Sequence, residues 1–259
     1  MNGVPLFEWD IRINYGIKTG YNEAFIINNN KRNELIEEDS KSEEIIRPIL
    51  RGRDIKRYSV DFADMWIINT HNGIKEKSIE PVNVDDYPAI KKHLNMFHSK
   101  LEQRADKGDT IYNLRNCAYI EDFFKPKIIF PNMTKYLPFV YDDEGFLTNQ
   151  KCFIITGECI EFLTAFLNSS IFKYCFRENF PELQGGTREL SKIFFDKIPV
   201  IKISELQNLK FKEIIIQIKE LIKKHQPIVE LEHKIDEIIF DLYDLDLHER
   251  KTIGYINIQ

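Results

Sequence analysis

Residues 16–25 read Gly16-Ile17-Lys18-Thr19-Gly20-Tyr21-Asn22-Glu23-Ala24-Phe25. Two glycines bracket a Lys-Thr pair, and apolar runs at 9–13 and 25–27 flank the segment. This pattern predicts a strand, a polar glycine loop and a second strand. Glycine lets another group approach the backbone closely, and Lys, Thr, Tyr and Asn side chains bind phosphates and base edges. On spacing alone, a plain hairpin turn and a ligand-binding loop are equally good interpretations.

Working outward from this loop, the first 200 residues combine short apolar runs with amphipathic stretches. Runs rich in Ile, Phe and Val predict strands at 66–68, 127–130, 139–141 and 152–155. A turn sequence at 142–145 predicts a hairpin over 139–150. Apolar residues at helical spacing predict helices at 43–50, 87–104 and 160–174. The expected fold class is therefore α+β, with a mixed sheet and flanking helices.

After Pro199 the sequence becomes strongly helical, and residues 201–259 are predicted to form a separate C-terminal helical region. Apolar residues recur every three or four positions in 205–226 and again in 228–245. Pro227 interrupts the pattern, so the expected structure is a kinked helix pair. Two interpretations remain open. The helices pack on the domain's own core, which is the interpretation that their short length favours. Alternatively, they form an arm that docks on another domain or subunit.

Composition limits the possible classes of protein. The chain has 259 residues, a net charge of −5 and four scattered cysteines, which are expected to be reduced thiols in a cytoplasmic protein. No apolar run predicts a membrane span or a signal peptide, so no membrane partner is expected. The negative net charge argues weakly against a nucleic-acid partner, but binding depends on local basic patches rather than on the mean.

One such patch lies at residues 48–58, where four cations surround Gly52. Arg51 and Arg53 carry guanidinium forks that suit phosphates and guanine edges. Asp54 can hold a neighbouring Arg or accept a hydrogen bond from a cytosine amino group. Taken alone, the stretch is more typical of a solvated charged loop, which is what most such charged runs form.

Two further stretches have the same character. Residues 104–115 interleave cations with Tyr and Asn, and the candidate contacts there and in the following strand are Arg104, Lys107, Tyr112, Arg115 and Lys127. Residues 184–190 form a flexible turn with Gln184, Thr187 and Arg188, next to a predicted short helix at 190–194. The 104–115 stretch alone is also compatible with a basic surface connection, and the 184–190 turn alone is better interpreted as a linker. The glycine loop and the stretches at 48–58 and 104–115, taken in succession, favour a polyanion-binding surface.

Catalytic motifs are missing from the sequence. It has no Gly-x-Gly-x-x-Gly, no Walker loop and no Asn-Pro-Pro-aromatic stretch. His93 and His98 are five residues apart, which does not suit two ligands on one helix face, so both are interpreted as surface histidines and no metal site is predicted. The sequence therefore favours a binding module over a self-contained enzyme.

Six segments occur in an order that resembles a known family. They are 16–25, Leu50-Arg-Gly-Arg-Asp-Ile55, Tyr112-Asn-Leu-Arg-Asn-Cys117, Phe124-Lys-Pro-Lys-Ile128, Phe166-Leu-Asn-Ser-Ser170 and Phe240-Asp-Leu-Tyr-Asp-Leu245. Together they resemble the TaqI-like C-terminal specificity domain of adenine-N6 DNA methyltransferases and fused type IIG restriction–modification enzymes. The likeness covers nearly the whole chain. The turn at 184–190 and the helices after it are also similar to the end of a recognition domain in type I specificity subunits.

This resemblance implies a DNA target recognition domain over residues 1–200, which reads duplex DNA while a catalytic domain of the same parent protein extrudes the target adenine. The chain is then not an enzyme by itself and is the C-terminal part of a longer methyltransferase, with or without a fused endonuclease. S-adenosylmethionine, with Mg²⁺ as a further candidate, belongs to that parent. The alternative is a type I-like specificity module whose helical arm docks a methyltransferase subunit.

The resemblance also assigns roles to side chains. Lys18, Thr19, Tyr21 and Asn22 would lie at the DNA, and the glycines beside them would give room for the DNA backbone. Arg51, Arg53 and Asp54 are the candidates for reading bases. Arg104, Lys107, Tyr112 and Arg115 would contact phosphates or stack on bases, and the 184–188 turn would lie near the groove.

Overall fold

The computed structural model describes residues 3–255, which form twelve strands and ten α-helices joined by short 3₁₀ turns. The strands are β1 (Val4–Pro5), β2 (Ile11–Tyr15), β3 (Ile26–Asn28), β4 (Ile46–Leu50), β5 (Met65–Ile68), β6 (Lys127–Pro131), β7 (Met133–Thr134), β8 (Val140–Asp142), β9 (Leu147–Thr148), β10 (Cys152–Gly157), β11 (Arg188–Glu189) and β12 (Pro199–Val200). The helices are α1 (Asn22–Phe25), α2 (Asn29–Glu38), α3 (Pro88–Asn95), α4 (His98–Gln103), α5 (Ile160–Asn168), α6 (Ser170–Phe176), α7 (Lys192–Phe195), α8 (Glu205–Lys223), α9 (Val229–Leu242) and α10 (Leu247–Ile253).

Two four-stranded sheets organise the chain. The first, called the central sheet, has the order β2-β10-β6-β8 and is antiparallel throughout. The second sheet has the order β3-β5-β4-β9, with a parallel pairing between β4 and β9. Two short antiparallel strand pairs, β1 with β12 and β7 with β11, connect segments that are distant in the sequence.

The inner strands β6 and β10 of the central sheet are buried on both faces, which explains their continuous apolar runs, whereas the edge strand β2 is partly exposed. In β10, Phe153 and Ile155 face a core shared with α5, α6, α8 and α9, whereas Cys152 and Ile154 face a core shared with the second sheet and α3. A strand that is covered on both sides cannot show the polar alternation of a half-exposed strand. The sheet thus joins two hydrophobic cores into one body.

The C-terminal helices α8 and α9 pack on the first of these cores. Phe211 and Ile214 of α8 and Ile235 and Ile239 of α9 lie in the same cluster as Phe166 of α5. This packing corresponds to the interpretation of helices on the domain's own core, and it supplies the tertiary contacts that short helices need. The proposed division at residue 200 stays a prediction, and residues 256–259 lie outside the described part of the chain.

Helix ends follow the local sequence. Ser204 and Gln207 form a reciprocal capping box at the start of α8, with the Gln207 side chain accepting from the Ser204 amide at 2.8 Å. The predicted break near Pro227 is present, because α8 ends at Lys223 and α9 begins at Val229. The seven-residue α10 follows with a second capping box at Asp246.

Three local predictions were wrong. Residues 43–50 form a 3₁₀ turn and strand β4 rather than a helix, since Pro48 cannot continue a helical hydrogen-bond ladder. The predicted hairpin over 139–150 is absent, because β8 joins the central sheet and β9 pairs with β4 of the second sheet. His93 is buried, and its Nε2 hydrogen-bonds to the carbonyl oxygen of Ala24 at 2.9 Å, so it is not a surface histidine.

Candidate nucleic-acid interface

A basic groove of about 830 Å³ opens between three segments of the chain. Its walls are residues 51–57, which follow β4, residues 131–138, which follow β6, and residues 149–151, which precede β10. The cations that line it are Arg51, Arg53, Lys56, Arg57, Lys135 and Lys151. No Asp or Glu lies among the described residues that line the groove.

Four of the six cations form no ion pair among the described residues, although the Lys56 ammonium donates to the carbonyl oxygen of Arg53 at 3.1 Å. Arg51 is paired with Asp54, and Arg57 is paired with Glu232. Within residues 3–255, no carboxylate pairs with the remaining four, which are Arg53, Lys56, Lys135 and Lys151. Clustered cations without neutralising acids raise the local positive potential, even though the chain as a whole is acidic.

The geometry of Arg51 explains why its segment has this shape. Its Nε and Nη2 donate to the two carboxylate oxygens of Asp54 at 2.9 and 2.7 Å, and its backbone amide donates to Asp54 at 2.8 Å. The hydrogen bonds to Asp54 raise the pKa of Arg51. Asp54 is buried and does not line the groove, so it orients Arg51 and is not placed to meet a base.

The opening glycine loop lies against the 148–151 turn, which contributes to the groove. The Ile17 amide donates to the carbonyl oxygen of Thr148 at 2.7 Å. A Cβ on Gly16 would lie 2.0 Å from the carbonyl oxygen of Asn149. The backbone that needs this glycine is therefore the protein's own, contrary to the expectation that the glycines give room for DNA.

The polar side chains of the glycine loop mostly bond within it. Thr19 is buried, and its hydroxyl donates to the Asn22 side-chain oxygen at 2.6 Å. The Tyr21 hydroxyl donates to Glu23 at 2.7 Å. Lys18 remains half exposed and contacts Asp106 at 2.8 Å. Hydrogen bonds within the loop therefore stabilise its conformation, and the Lys18 ammonium is accessible to solvent.

A second cleft of about 520 Å³ adjoins the glycine loop. Lys18 and Arg115 both line it and both contact Asp106, with Arg115 at 3.0 Å. The hydrogen bond from Lys18 lowers the pKa of Asp106, and Arg115 adds to the effect. Gln150 lines this cleft, whereas its neighbours Asn149 and Lys151 line the basic groove.

Arg104 is buried and bonds to the protein backbone, so it is not exposed for a phosphate contact. Its guanidinium donates to the carbonyl oxygens of Thr19, Ile111 and Asn113 and lies 4.6 Å from the ring centre of Phe25. Burial lowers the pKa of Arg104 to about 10. It joins the glycine loop to residues 111–113.

Its neighbours Lys107 and Tyr112 lie outside both clefts. Lys107 is exposed and donates to the carbonyl oxygen of Glu102 at 3.0 Å. The Tyr112 hydroxyl donates to Asn95 at 2.6 Å.

Two other predicted contacts are buried. Lys127 has no exposed surface, and its ammonium bonds to Asp142 and to the carbonyl oxygen of Phe123. Burial lowers the pKa of Lys127, against the opposing effect of Asp142. Arg188 is clamped by Glu178 at 3.0 Å and donates to the carbonyl oxygen of Phe180 at 2.8 Å.

The main structural role of the 184–188 turn is to support a neighbouring segment of the groove wall. The Thr187 hydroxyl donates to the carbonyl oxygen of Gln184 at 2.7 Å, and the Gln184 side chain is exposed. β11 pairs with β7 and so supports the wall of the basic groove at Met133 and Thr134.

Sequence reasoning missed much of the groove. The 131–138 wall carries Lys135 and an exposed Tyr136, and the 149–151 wall carries Lys151. The local signal was a Lys-Tyr pair just after a strand, which matches the cation–aromatic pattern used elsewhere in the chain. The long-range pairing of β4 with β9 brings Lys151 to the segment that carries Arg51 and Arg53, and the fold adds the 131–138 wall to the same groove.

Comparison with known proteins places this architecture in a family. The family described as TaqI-like C-terminal specificity domain matches residues 47–200. The chain belongs to this family, and the predicted resemblance is confirmed. Type II methyltransferase M.MjaIV of Methanocaldococcus jannaschii is 26% identical over 238 residues, which are 88% of this chain and 77% of that protein.

Solved structures share the fold and confirm the α+β class. The type IIL restriction–modification enzyme MmeI, solved in complex with DNA, aligns with a TM-score of 0.69 and 12% identity over 93% of this chain and 33% of its own. The type IIG restriction endonuclease BpuSI aligns with a TM-score of 0.55 and 15% identity over 93% of this chain and 31% of its own. The chain spans about a third of the length of these two enzymes.

Neither a membrane span nor a metal cluster occurs in the described part of the chain. Between residues 3 and 255, no helix has the length and apolar character required to cross a bilayer. The same residues hold no group of three or more His, Cys, Asp or Glu side chains that could bind a metal ion.

Proposed function

We propose that this specificity domain binds duplex DNA in the basic groove and reads the target site for a catalytic domain elsewhere in the parent protein. The observation that carries the proposal is the groove itself, with six cationic side chains and no carboxylate among its described lining residues. Phosphate contacts by Lys and Arg dominate the affinity of most proteins for DNA.

The role proposed for each cation in DNA binding depends on whether it is paired with a carboxylate. Arg53, Lys56, Lys135 and Lys151 have no carboxylate partner in the described chain and are available for phosphates. Arg51 is held by Asp54 in a fixed orientation, which favours a directional contact with a guanine edge or a phosphate. Lys18 and Arg115 would extend the contact surface through the second cleft.

Several finer parts of this proposal rest on the family resemblance alone. Methylation of adenine N6, use of S-adenosylmethionine, fusion to an endonuclease with Mg²⁺ and a cytoplasmic location are properties proposed for the parent protein. The relative M.MjaIV is named as a type II methyltransferase, which supports methyl transfer in a parent of this chain.

Salt-titrated binding of this chain to duplex DNA tests the proposal. The double variant Arg53→Ala with Lys151→Ala is expected to weaken binding at least tenfold and to flatten the salt slope by about 0.9 for each phosphate that is no longer neutralised. The matched control is Lys210→Ala with Lys234→Ala, which removes two exposed lysines from α8 and α9. Equally weakened binding in both double variants, or an affinity that does not fall with salt, would contradict the proposal.

A second candidate is the type I-like module in which the helical region docks a methyltransferase subunit. It is favoured by one observation, the exposed apolar side chains Leu206, Leu209 and Ile216 along the outer face of α8. Light scattering of the chain mixed with a methyltransferase subunit distinguishes the two functions. Leu206→Ser with Leu209→Ser would abolish a complex in this second case and leave DNA binding unchanged in the first.

A further inference from the structure

The 148–151 turn, made of Thr148, Asn149, Gln150 and Lys151, separates the basic groove from the second cleft. Asn149 and Lys151 line the groove on one side, and Gln150 lines the cleft on the other. Cations are present on both sides of the turn, with Lys18 and Arg115 in the second cleft. The turn is therefore a ridge between two depressions that are lined by cations, and in the second cleft Lys18 and Arg115 share one carboxylate, that of Asp106.

Backbone hydrogen bonds from three separate segments hold this ridge. Its carbonyl oxygens at Thr148 and Lys151 accept from the amides of Ile17 at 2.7 Å and Asn132 at 2.8 Å. The Asn149 amide donates to the carbonyl oxygen of Leu50 at 3.1 Å. A turn with so many fixed anchors presents its tip with little loss of entropy on binding.

The turn is also closed internally. The Asn149 side-chain oxygen accepts from the Lys151 amide at 3.0 Å, and the Asn149 carbonyl accepts from the Cys152 amide at 3.0 Å. These bonds leave the Gln150 and Lys151 side chains exposed at the tip.

Gln150 is an exposed amide of this surface whose side-chain oxygen and NH₂ group both lack a partner among the described residues. Four amide side chains line the two clefts: Asn116, Asn132, Asn149 and Gln150. Asn116 accepts from Asn72, Asn149 accepts from Lys151, and the Asn132 side-chain oxygen is buried with no hydrogen-bond partner among the described residues, which leaves it out of reach of a ligand. Within residues 3–255, the exposed Gln150 amide bonds to no other protein group, so both its donor and its acceptor are available.

We infer that Gln150 is a sequence-reading residue of this domain and that it recognises an adenine edge in the major groove of DNA. The inference rests on the proposed function, because it requires duplex DNA on this surface. A glutamine amide matches the N7 acceptor and N6 donor of adenine in a bidentate pair. Cations line the depressions on both sides of the ridge and would contact the phosphates that flank the major groove, which is about 12 Å wide.

Selection from a random duplex library tests the assignment with the full chain. The wild-type chain is expected to enrich a consensus sequence, and Gln150→Ala is expected to lose the adenine preference at one position, with discrimination there falling roughly tenfold to a hundredfold. Gln150→Glu is expected to shift that position toward cytosine, since a carboxylate accepts from the cytosine amino group. In Gln150→Ala, which changes no charge, the other positions and the salt slope remain as in the wild type.

Gln217→Ala is the matched control, because Gln217 is an exposed glutamine on α8, away from both clefts. Thermal unfolding of each variant confirms that it is folded. If wild type and Gln150→Ala enrich the same consensus, this inference is overturned and the proposed function stands. If the wild type enriches no consensus and its affinity is independent of salt, the proposed function and the inference both fail.

Discussion

Arg57 on the wall of the basic groove forms an ion pair with Glu232 of helix α9. The same guanidinium donates to the carbonyl oxygen of Asn168 at the end of α5 at 2.5 Å. The Arg57 and Glu232 side chains are only 18% and 19% exposed, so salt screens their attraction weakly. One cation of the groove is therefore held by the C-terminal helices, which links the helical region to the candidate DNA surface.

Replacing Glu232 with Gln tests this link. The change leaves Arg57 without its charged partner, and the free energy of unfolding is expected to fall by about 1–3 kcal/mol. If the released guanidinium reaches a phosphate, the salt slope of DNA binding becomes steeper by about 0.9. Urea denaturation and salt-titrated binding measure the two effects. Glu230→Gln is the control, since Glu230 is exposed at the start of the same helix, and unchanged values for Glu232→Gln would disprove the link.

Titration of the buried Lys173 side chain is expected to make the free energy of unfolding depend on pH. Burial, and next the charge of Arg57, lower the pKa of Lys173 to about 6. In the unfolded chain a lysine titrates near 10.4. Between these two values the unfolded chain binds the proton and the folded chain does not. The free energy of unfolding should therefore increase as the pH rises from about 6 to about 10.

Lys173→Met removes this dependence. The variant is expected to be more stable than the wild type at neutral pH and to have a flatter profile between about pH 6 and 10. Urea denaturation across that range provides the measurement. Lys210→Met, which changes an exposed lysine on α8, should keep the wild-type slope. A wild-type slope in Lys173→Met would mean that other groups cause the pH dependence.

How far the sequence predicts the site depends on the range of the contacts involved. Arg51, Arg53 and Asp54 lie in one short segment, so their proximity could be predicted, although only the fold shows that Asp54 faces inward. The strands at 127–130 and 152–155 were also predictable, because a strand buried on both faces is a continuous apolar run.

Longer-range pairings escaped prediction. The register of β9 against β4 brings Lys151 to Arg53, and no local pattern encodes it. The residue type of Arg104 or Lys127 does not show whether the side chain is exposed or buried. Their burial beside carbonyl oxygens and Asp142 emerges only from the packing of the whole chain.

Arg104 is expected to stabilise the fold and not to contribute charge to DNA binding. Arg104→Lys retains a cation but cannot reach all three carbonyl oxygens that the guanidinium bonds, namely those of Thr19, Ile111 and Asn113. The expected decrease is about 2–4 kcal/mol in the free energy of unfolding, with an unchanged salt slope at temperatures where the variant is folded. Lys107→Ala removes a neighbouring exposed cation and should cost less than about 0.5 kcal/mol. A stable Arg104→Lys variant with a reduced salt slope would instead favour a phosphate contact.

Gly16 should tolerate no side chain, because the 148–151 turn occupies the space. A Cβ there would lie 2.0 Å from the carbonyl oxygen of Asn149 and 2.6 Å from that of Thr148, both of them backbone atoms that cannot move aside alone. Gly16→Ala is expected to cost about 3 kcal/mol or more and to displace the ridge that carries Gln150.

Gly185→Ala separates this packing effect from backbone strain. Gly185 has a φ of +75° but open space around it, so alanine should cost only about 1 kcal/mol there. Thermal unfolding of the two variants provides the comparison, and sequence selectivity on duplex DNA reports the position of the ridge. Equal destabilisation by the two substitutions would show that the approach of Asn149 to Gly16 does not determine the position of the turn.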